Sequence, residues 1–174
     1  VFIPTLVISN KLNGYWSLQK GNKTMDLHFK PHRTTNNLLP NQVIVNVKAT
    51  GLNFRDFLNI HNVSPANIGN PGTDFSGIIE SIGSSVKRFR IGQRVLGFAV
   101  GTLQSHCTTL ENLIVSFPNN SRFIDVVSIP SVMGTSFYCL YKIAKLQPGE
   151  TILIHSGCGG VGLAAIQLAQ FTGS

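Results

Sequence analysis

The chain has 174 residues, of which 43% are hydrophobic and 12% charged, with a formal net charge of +7. This balance allows an apolar core and excludes a disordered segment. No continuous apolar run reaches the ~18 residues of a membrane span, and no signal peptide is visible in the short apolar stretch from Val1 to Ile8. We therefore expect a cytoplasmic protein without a membrane partner.

The basic residues are scattered, apart from a cluster at Lys87, Arg88 and Arg90. Aromatic residues do not interleave with this cluster, and no docking motif accompanies it, which argues against binding of nucleic acid. We interpret it as a solvated loop, with attraction of an acidic partner as the functional alternative.

The cysteines Cys107, Cys139 and Cys158 are far apart and form no CxxC pair. This spacing predicts reduced thiols, with neither disulfides nor a structural zinc. The chain begins at Val1 rather than Met and stops at Ser174, just after a helix-like stretch. We expect a truncated piece of a longer polypeptide.

The first part of the chain predicts short strands joined by Gly-rich turns. Residues 1–14 show no clear pattern and are interpreted as linker, and strand-like pieces begin at Tyr15. Alternation of apolar residues from Val43 to Ala49 predicts a strand with one buried face. Residues 51–61 predict a turn and a short helix. Further strands are predicted at 77–82, 94–99 and 113–117, a spacing that favours a small β-barrel.

The pattern becomes helical near Ser128. Pro130 suits a first helical turn, and apolar residues then recur on one helical face as far as Ala144. Gly134 within this helix costs about 1 kcal/mol relative to Ala, which indicates a close approach by a ligand or by a packing neighbour. A strand covered on both faces is predicted at 151–155, and a second helix at 163–171.

A G-x-G-x-x-G motif stands between that predicted strand and that helix, which is the context of a dinucleotide-binding loop. Gly157 would let the chain turn tightly, Gly159 would let the backbone approach a diphosphate, and Gly162 would let the helix pack closely. Free N–H groups at the helix start would face the phosphates. The predicted cofactor-binding residues are Gly157, Cys158, Gly159, Gly160, Val161 and Gly162. The alternative is a Gly-rich turn without a ligand.

Four segments together resemble the zinc-independent, quinone-oxidoreductase-like members of the medium-chain dehydrogenase/reductase superfamily, above all the enoyl reductase domains of polyketide and fatty-acid synthases. They are residues 47–56 with the core Gly-Leu-Asn-Phe-Arg-Asp, 71–77 with 92–95, 129–140, and 146–162. The resemblance covers about residues 40–174, and more faintly from about residue 15.

The resemblance implies a mixed β and α/β fold. A GroES-like β-barrel, the substrate domain, would span residues 15–127. Residues 128–174 would then begin a Rossmann domain, a doubly wound parallel sheet that binds NADP and is incomplete here. Zinc-dependent relatives carry Cys at Asn53, a His-Glu pair at Thr73-Asp74 and a four-cysteine lobe that is absent here. The barrel is therefore expected to be metal-free.

The implied reaction is the NADPH-dependent reduction of an enoyl thioester on an acyl carrier protein, within a multidomain polyketide synthase. A hydride would add at the β-carbon and a proton at the α-carbon. Other synthase domains in cis, and a homodimer formed through the parent synthase, are the implied partners. The proton donors proposed for the family, and the residue about 20 positions after the motif that separates NADPH from NADH, would lie beyond Ser174. We expect the piece on its own to bind NADPH poorly and to be inactive.

Motif matching places Asn53 and Arg55 on the wall facing the nicotinamide, and Thr135 near the nicotinamide end of the cofactor. Each has a structural alternative. Arg55 could pair with Asp56, Asn53 could cap a helix, and Thr135 could bond to its own backbone. His155, which ends the predicted strand, is interpreted as structural.

Three residues depart from the usual family pattern. Gly157 and Cys158 stand where small residues such as Ala are usual, and Gln93 replaces a common Asp. Cys158 would be an exposed thiol open to oxidation. Two other functions stay open: a free-standing, zinc-free quinone oxidoreductase, and a truncated non-catalytic scaffold.

Overall fold

A computed structural model describes residues 16–20, 27–31, 38–61, 63 and 69–174. The predicted linker over residues 1–14 lies outside this part. Strands β1 (Trp16–Lys20) and β2 (Leu27–Pro31) form an antiparallel pair, in the region where the sequence predicted short strands.

A five-stranded antiparallel sheet has the order β6-β3-β4-β5-β7. Its strands are β3 (Gln42–Gly51), β4 (Asp74–Ile82), β5 (Arg94–Phe98), β6 (His106–Leu110) and β7 (Ile114–Ser116). Four of them match predicted strands, and β6 was not predicted. The central strand β3 changes register twice against β4, and such bulges bend a strand and increase its twist.

The core of the sheet is built from its central strands. Val43 and Val45 are fully buried, as their alternation predicted, and they pack in one cluster with Phe75, Ile79 and Val95. Each such side chain contributes about 1.5–3 kcal/mol by leaving water. Ile44 is buried as well, so β3 is covered on both faces at this point.

Helix α1 (Phe54–Ile60) forms where a short helix was predicted, but its apolar residues face outward. Phe54 and Phe57 are 73% and 52% exposed, and their rings stack with centroids 5.8 Å apart. The buried side chains of this helix are Asp56 and Asn59. A polar contact network, rather than an apolar face, therefore attaches α1 to its surroundings.

A helical run follows the sheet, comprising α2 (Phe123–Val126), α3 (Ile129–Phe137) and a π-helical segment (Tyr138–Ile143). The run of 21 residues is long and apolar enough to cross a membrane by length and composition, with a mean hydropathy of 1.4. The segment is not a continuous apolar run, because Asp125 and Lys142 lie within it, so the sequence observation is not contradicted. Helix α3 nevertheless packs against α4 and against β4 and β5, as a helix of a folded domain does.

Helix α4 (Gly160–Thr172) confirms the second predicted helix and ends at Gly173, which has a left-handed φ of 85°. The strand predicted at 151–155 is not formed. Residues 151–154 have no ladder partner among the described strands, and Leu153 is 82% exposed. An apolar segment becomes a strand only when a neighbour satisfies its backbone groups, and the described chain places none beside it.

Candidate functional site

The start of α1 is fixed by a buried carboxylate. Asp56 is 4% exposed, and its Oδ2 accepts the backbone N–H of Asn53 at 2.9 Å. Its Oδ1 accepts the backbone N–H of Gly72 at 2.8 Å. Asp56 therefore joins α1 to the loop that precedes β4. The ion pairs of the described residues do not include Arg55, which is exposed, so the Arg55–Asp56 pair considered from the sequence is not formed there.

Asn53 takes the N-cap position of α1, with extended backbone at φ −116° and ψ 156°. Its side-chain Nδ2 donates to Asp74 Oδ2 at 3.0 Å. Asn53 thus takes the capping position that was considered as its structural alternative, and its place on the nicotinamide wall stays a prediction.

Asp74 is the residue that the sequence analysis did not single out as part of the site. It is 1% exposed, and its Oδ1 accepts the hydroxyl of Ser131 at 2.6 Å. Burial raises the pKa of its carboxyl above the ordinary value, and the hydrogen bonds from Ser131 and Asn53 oppose that rise. The available signal was an acidic residue at the start of an otherwise apolar strand, since such residues are seldom buried without partners.

Helix α3 contacts both the sheet and the glycine-rich loop. On the sheet side, Ser131 binds Asp74, and a Cβ at Gly134 would lie 3.1 Å from Cζ of Phe98. The close approach inferred at Gly134 is thus made by a packing neighbour. On the loop side, Ser136 Oγ donates to the carbonyl of Val161 at 3.0 Å, and a side-chain methyl of Val132 lies against Gly160.

Thr135 lies between these two sides of α3. At about 100° per residue, Thr135 is about 40° round the helix from Ser131 and about 100° from Ser136. Its side chain is exposed, and the hydrogen bonds of the described residues do not include its hydroxyl. The backbone hydrogen bond considered for Thr135 is therefore not formed.

The glycine-rich loop leads directly into α4. A Cβ at Gly162 would lie 2.3 Å from the carbonyl oxygen of Ser156 and 2.7 Å from Cα of Gly157, so only glycine fits. The left-handed residue of the turn is Ser156, with φ 55°, and not Gly157. The tight turn assigned to Gly157 is therefore made one residue earlier, and Ala would meet only ordinary contacts at Gly157.

The start of α4 has the properties needed to hold a diphosphate. Gly159 is the N-cap, and the first N–H groups of a helix have no partner within it. Residues 158–161 are exposed, and two of them have no side chain to keep a ligand away from the backbone. The residues present therefore fit a dinucleotide diphosphate at this loop.

His155 and the three cysteines differ in their exposure to solvent. His155 is exposed, as are Cys139 and Cys158, whereas Cys107 is buried in the sheet, where burial raises the pKa of its thiol. The structure pairs none of the three cysteines in a disulfide. Among the described residues, no group of three or more His, Cys, Asp and Glu side chains is arranged to hold a metal ion.

Comparison with known proteins gives concordant matches. Residues 39–121 match the alcohol dehydrogenase GroES-like domain. "Probable polyketide synthase 24" of Dictyostelium discoideum is 36% identical over 162 residues, which cover 92% of this chain and 6% of that protein.

Solved structures match over nearly the whole chain. The CurK enoyl reductase superposes with a TM-score of 0.83 at 32% identity, covering 92% of this chain and 52% of that one. A quinone oxidoreductase of Pseudomonas syringae pv. Tomato DC3000 has a TM-score of 0.77 at 28% identity, covering 91% and 50%. The chain thus spans about half the length of these two structures and a small part of the synthase.

Proposed function

Because this chain contains an alcohol dehydrogenase GroES-like domain and is built like the enoyl reductases and quinone oxidoreductases of the medium-chain dehydrogenase/reductase superfamily, we propose that it is part of an enoyl reductase of a polyketide synthase. Its substrate is an α,β-unsaturated thioester on an acyl carrier protein, and its reductant is NADPH. It works in the cytoplasm beside other synthase domains, in a dimer formed through the parent synthase.

The observation that carries the proposal is the position of α3 between the sheet and the glycine-rich loop. A reductase of this kind has to hold the diphosphate of its cofactor at one place and the reacting carbons at another. Ser136 and Val132 contact the loop, Ser131 contacts the sheet through Asp74, and Thr135 lies exposed between them. We propose that Thr135 contacts the nicotinamide end of a cofactor whose diphosphate lies at the start of α4, and its exposed position between these contacts supports this role.

The residues of this chain bind and orient, and when bound, NADPH supplies the hydride. The backbone N–H groups of residues 160 and 161 would hold the diphosphate at the positive end of the α4 dipole. Thr135 and Asn53 orient the nicotinamide and the enoyl group, which places the β-carbon for hydride addition. Arg55, exposed beside Asn53, contributes a positive charge to the same wall, where it attracts a phosphorylated or acidic ligand.

The test uses the full-length polypeptide that carries this chain, with crotonyl-N-acetylcysteamine as substrate and loss of NADPH absorbance as readout. We expect consumption of NADPH that requires the thioester, and a preference for NADPH over NADH. The isolated residues 1–174 are expected to bind NADPH weakly, and micromolar binding in a fluorescence titration would contradict that expectation.

A quinone reductase is the second candidate, favoured by the similarity to the Pseudomonas syringae structure. The same assay with a soluble benzoquinone separates the two, since a quinone reductase would consume NADPH with the quinone and not with the thioester. If neither substrate is reduced, the scaffold hypothesis replaces both.

A further inference from the structure

Three elements meet at the carboxylate of Asp74. Asn53 at the start of α1 donates its side-chain amide to one carboxylate oxygen at 3.0 Å, and Ser131 of α3 donates its hydroxyl to the other at 2.6 Å. Asp74 itself begins β4, and its backbone carbonyl accepts the hydroxyl of Thr102 at 3.0 Å. Every acceptor on the residue is therefore engaged, and each bond comes from a different segment.

Packing alone does not explain an acid at this position. Burying a carboxylate is costly unless hydrogen bonds satisfy it, and an apolar residue of similar size is often tolerated as well or better. Asp74 is 1% exposed and each of its two carboxylate oxygens accepts a side-chain hydrogen bond, so the carboxylate holds its two partners in fixed directions.

The direction of the hydrogen bond to Asp74 matters most for the side chain of Asn53. An ionised carboxylate only accepts hydrogen bonds, so the amide of Asn53 has to turn its NH2 group towards Asp74. That constraint fixes which way the rest of the side chain faces. The bond to Ser131 fixes α3 at a residue one turn before Thr135, on nearly the same side of the helix.

We propose that Asp74 is a positioning residue, which holds the Asn53 amide and the Thr135-bearing helix in register with each other by accepting one hydrogen bond from each side. This inference rests on the proposed function, because it assigns Asp74 to the reduction through residues that line the proposed cleft. Asp74 does not touch the substrate. Its effect passes through the register between Asn53 and α3, which is lost when either hydrogen bond is removed, so Asn53, Asp74 and Ser131 act as one unit.

The test is a double-mutant cycle in the full-length polypeptide, using the crotonyl thioester assay. Asp74→Ala and Asn53→Ala are each expected to lower kcat about 10- to 100-fold, the loss given by one hydrogen bond to a charged group. The KM for NADPH should change less than about threefold, because misorientation affects the reacting geometry more than binding. The variant D74A/N53A should be no slower than N53A alone.

Asp74→Asn provides the conservative rescue. Its amide oxygen can accept from Asn53 and its NH2 can donate to the Ser131 hydroxyl, so kcat should return to within about threefold of the wild type. Ser76→Ala is the matched control, because Ser76 also bonds from β4 to the helical region, to the carbonyl of Phe123 at 2.8 Å, without contacting Asn53. The factors by which S76A and N53A lower kcat should multiply in the double mutant.

Additive losses in D74A/N53A, or an unchanged kcat in D74A, would overturn the proposal. If D74A does not fold by circular dichroism, Ser131→Ala replaces it in the same cycle, and additivity with N53A overturns the proposal equally. An inactive wild type would remove the proposed function and this role with it. An active wild type with additive losses would remove only the role of Asp74.

Discussion

The substitution Gly162→Ala tests the packing of the cofactor loop most directly. The added Cβ would lie 2.3 Å from the carbonyl oxygen of Ser156, and 2.7 and 2.9 Å from Cα and C of Gly157. All three atoms belong to the backbone, so no side chain can turn away. Because ordinary contact begins near 3.4 Å, the loop and α4 have to separate by about 1 Å.

The expected magnitude follows from two opposing effects. Overpacking of this kind costs about 1–3 kcal/mol, and replacing Gly by Ala in a helix returns up to about 1 kcal/mol. With the full helix gain of about 1 kcal/mol, we expect a net loss of up to about 2 kcal/mol in stability. Since the separation also moves the N–H groups that face the diphosphate, the Kd for NADPH should rise at least about tenfold, as for the loss of one good hydrogen bond.

The assays are thermal unfolding and fluorescence titration with NADPH on the full-length polypeptide. Gly157→Ala is the matched stability control, because a Cβ there would meet only Ile166 at 3.5 Å and a carbonyl oxygen at 3.8 Å. G157A should therefore unfold within about 0.5 kcal/mol of the wild type, as a substitution without a named clash does. Equal effects of G162A and G157A would refute the reasoning.

Three further predictions concern buried groups. Because burial raises the pKa of Asp74, its carboxyl binds a proton more tightly in the folded state, and its contribution to stability is lost as pH rises through that raised pKa. Asp74→Asn should therefore flatten this part of the curve of melting temperature against pH. Asp56→Ala removes two charged hydrogen bonds to backbone N–H groups and should lower stability by about 2–4 kcal/mol in urea unfolding. Iodoacetamide should modify the exposed Cys158 well before the buried Cys107, whose thiol pKa is raised, as peptide mass spectrometry would show.

The elements that the sequence predicted are those whose signal is local. Alternation from Val43 onward predicted β3, and the motif before Leu163 predicted the loop and α4. Strand β6 was not predicted because its buried residues are Cys107 and Thr109, and a hydropathy pattern does not distinguish a buried threonine from a surface residue. The exposure of the apolar face of α1 was not predicted for a related reason. Asp56 is buried through a hydrogen bond with Gly72, which lies 16 residues along the chain.

The residues of the candidate site also divide into those with a local sequence signal and those without one. The glycine-rich loop, Asn53 and Thr135 were predicted from motifs, and their chemical roles stay predictions. Asp74 was found only in the structure, because its partners Asn53 and Ser131 are 21 and 57 residues away in the chain. A local sequence pattern cannot predict hydrogen bonds between residues so far apart in the chain.

The contacts of α3 give a physical reason to expect coupling between the two halves of the candidate site. Sheet and loop do not have to touch each other for a displacement at one to reach the other, since a nine-residue helix contacts both. A helix of this length moves as a rigid body, so a shift at Ser131 carries Ser136 and the Val161 carbonyl with it. Close packing at Gly134 against Phe98 prevents the helix from absorbing such a shift by sliding towards the sheet. We therefore expect a change at Asp74 or at the glycine-rich loop to alter the position of Thr135.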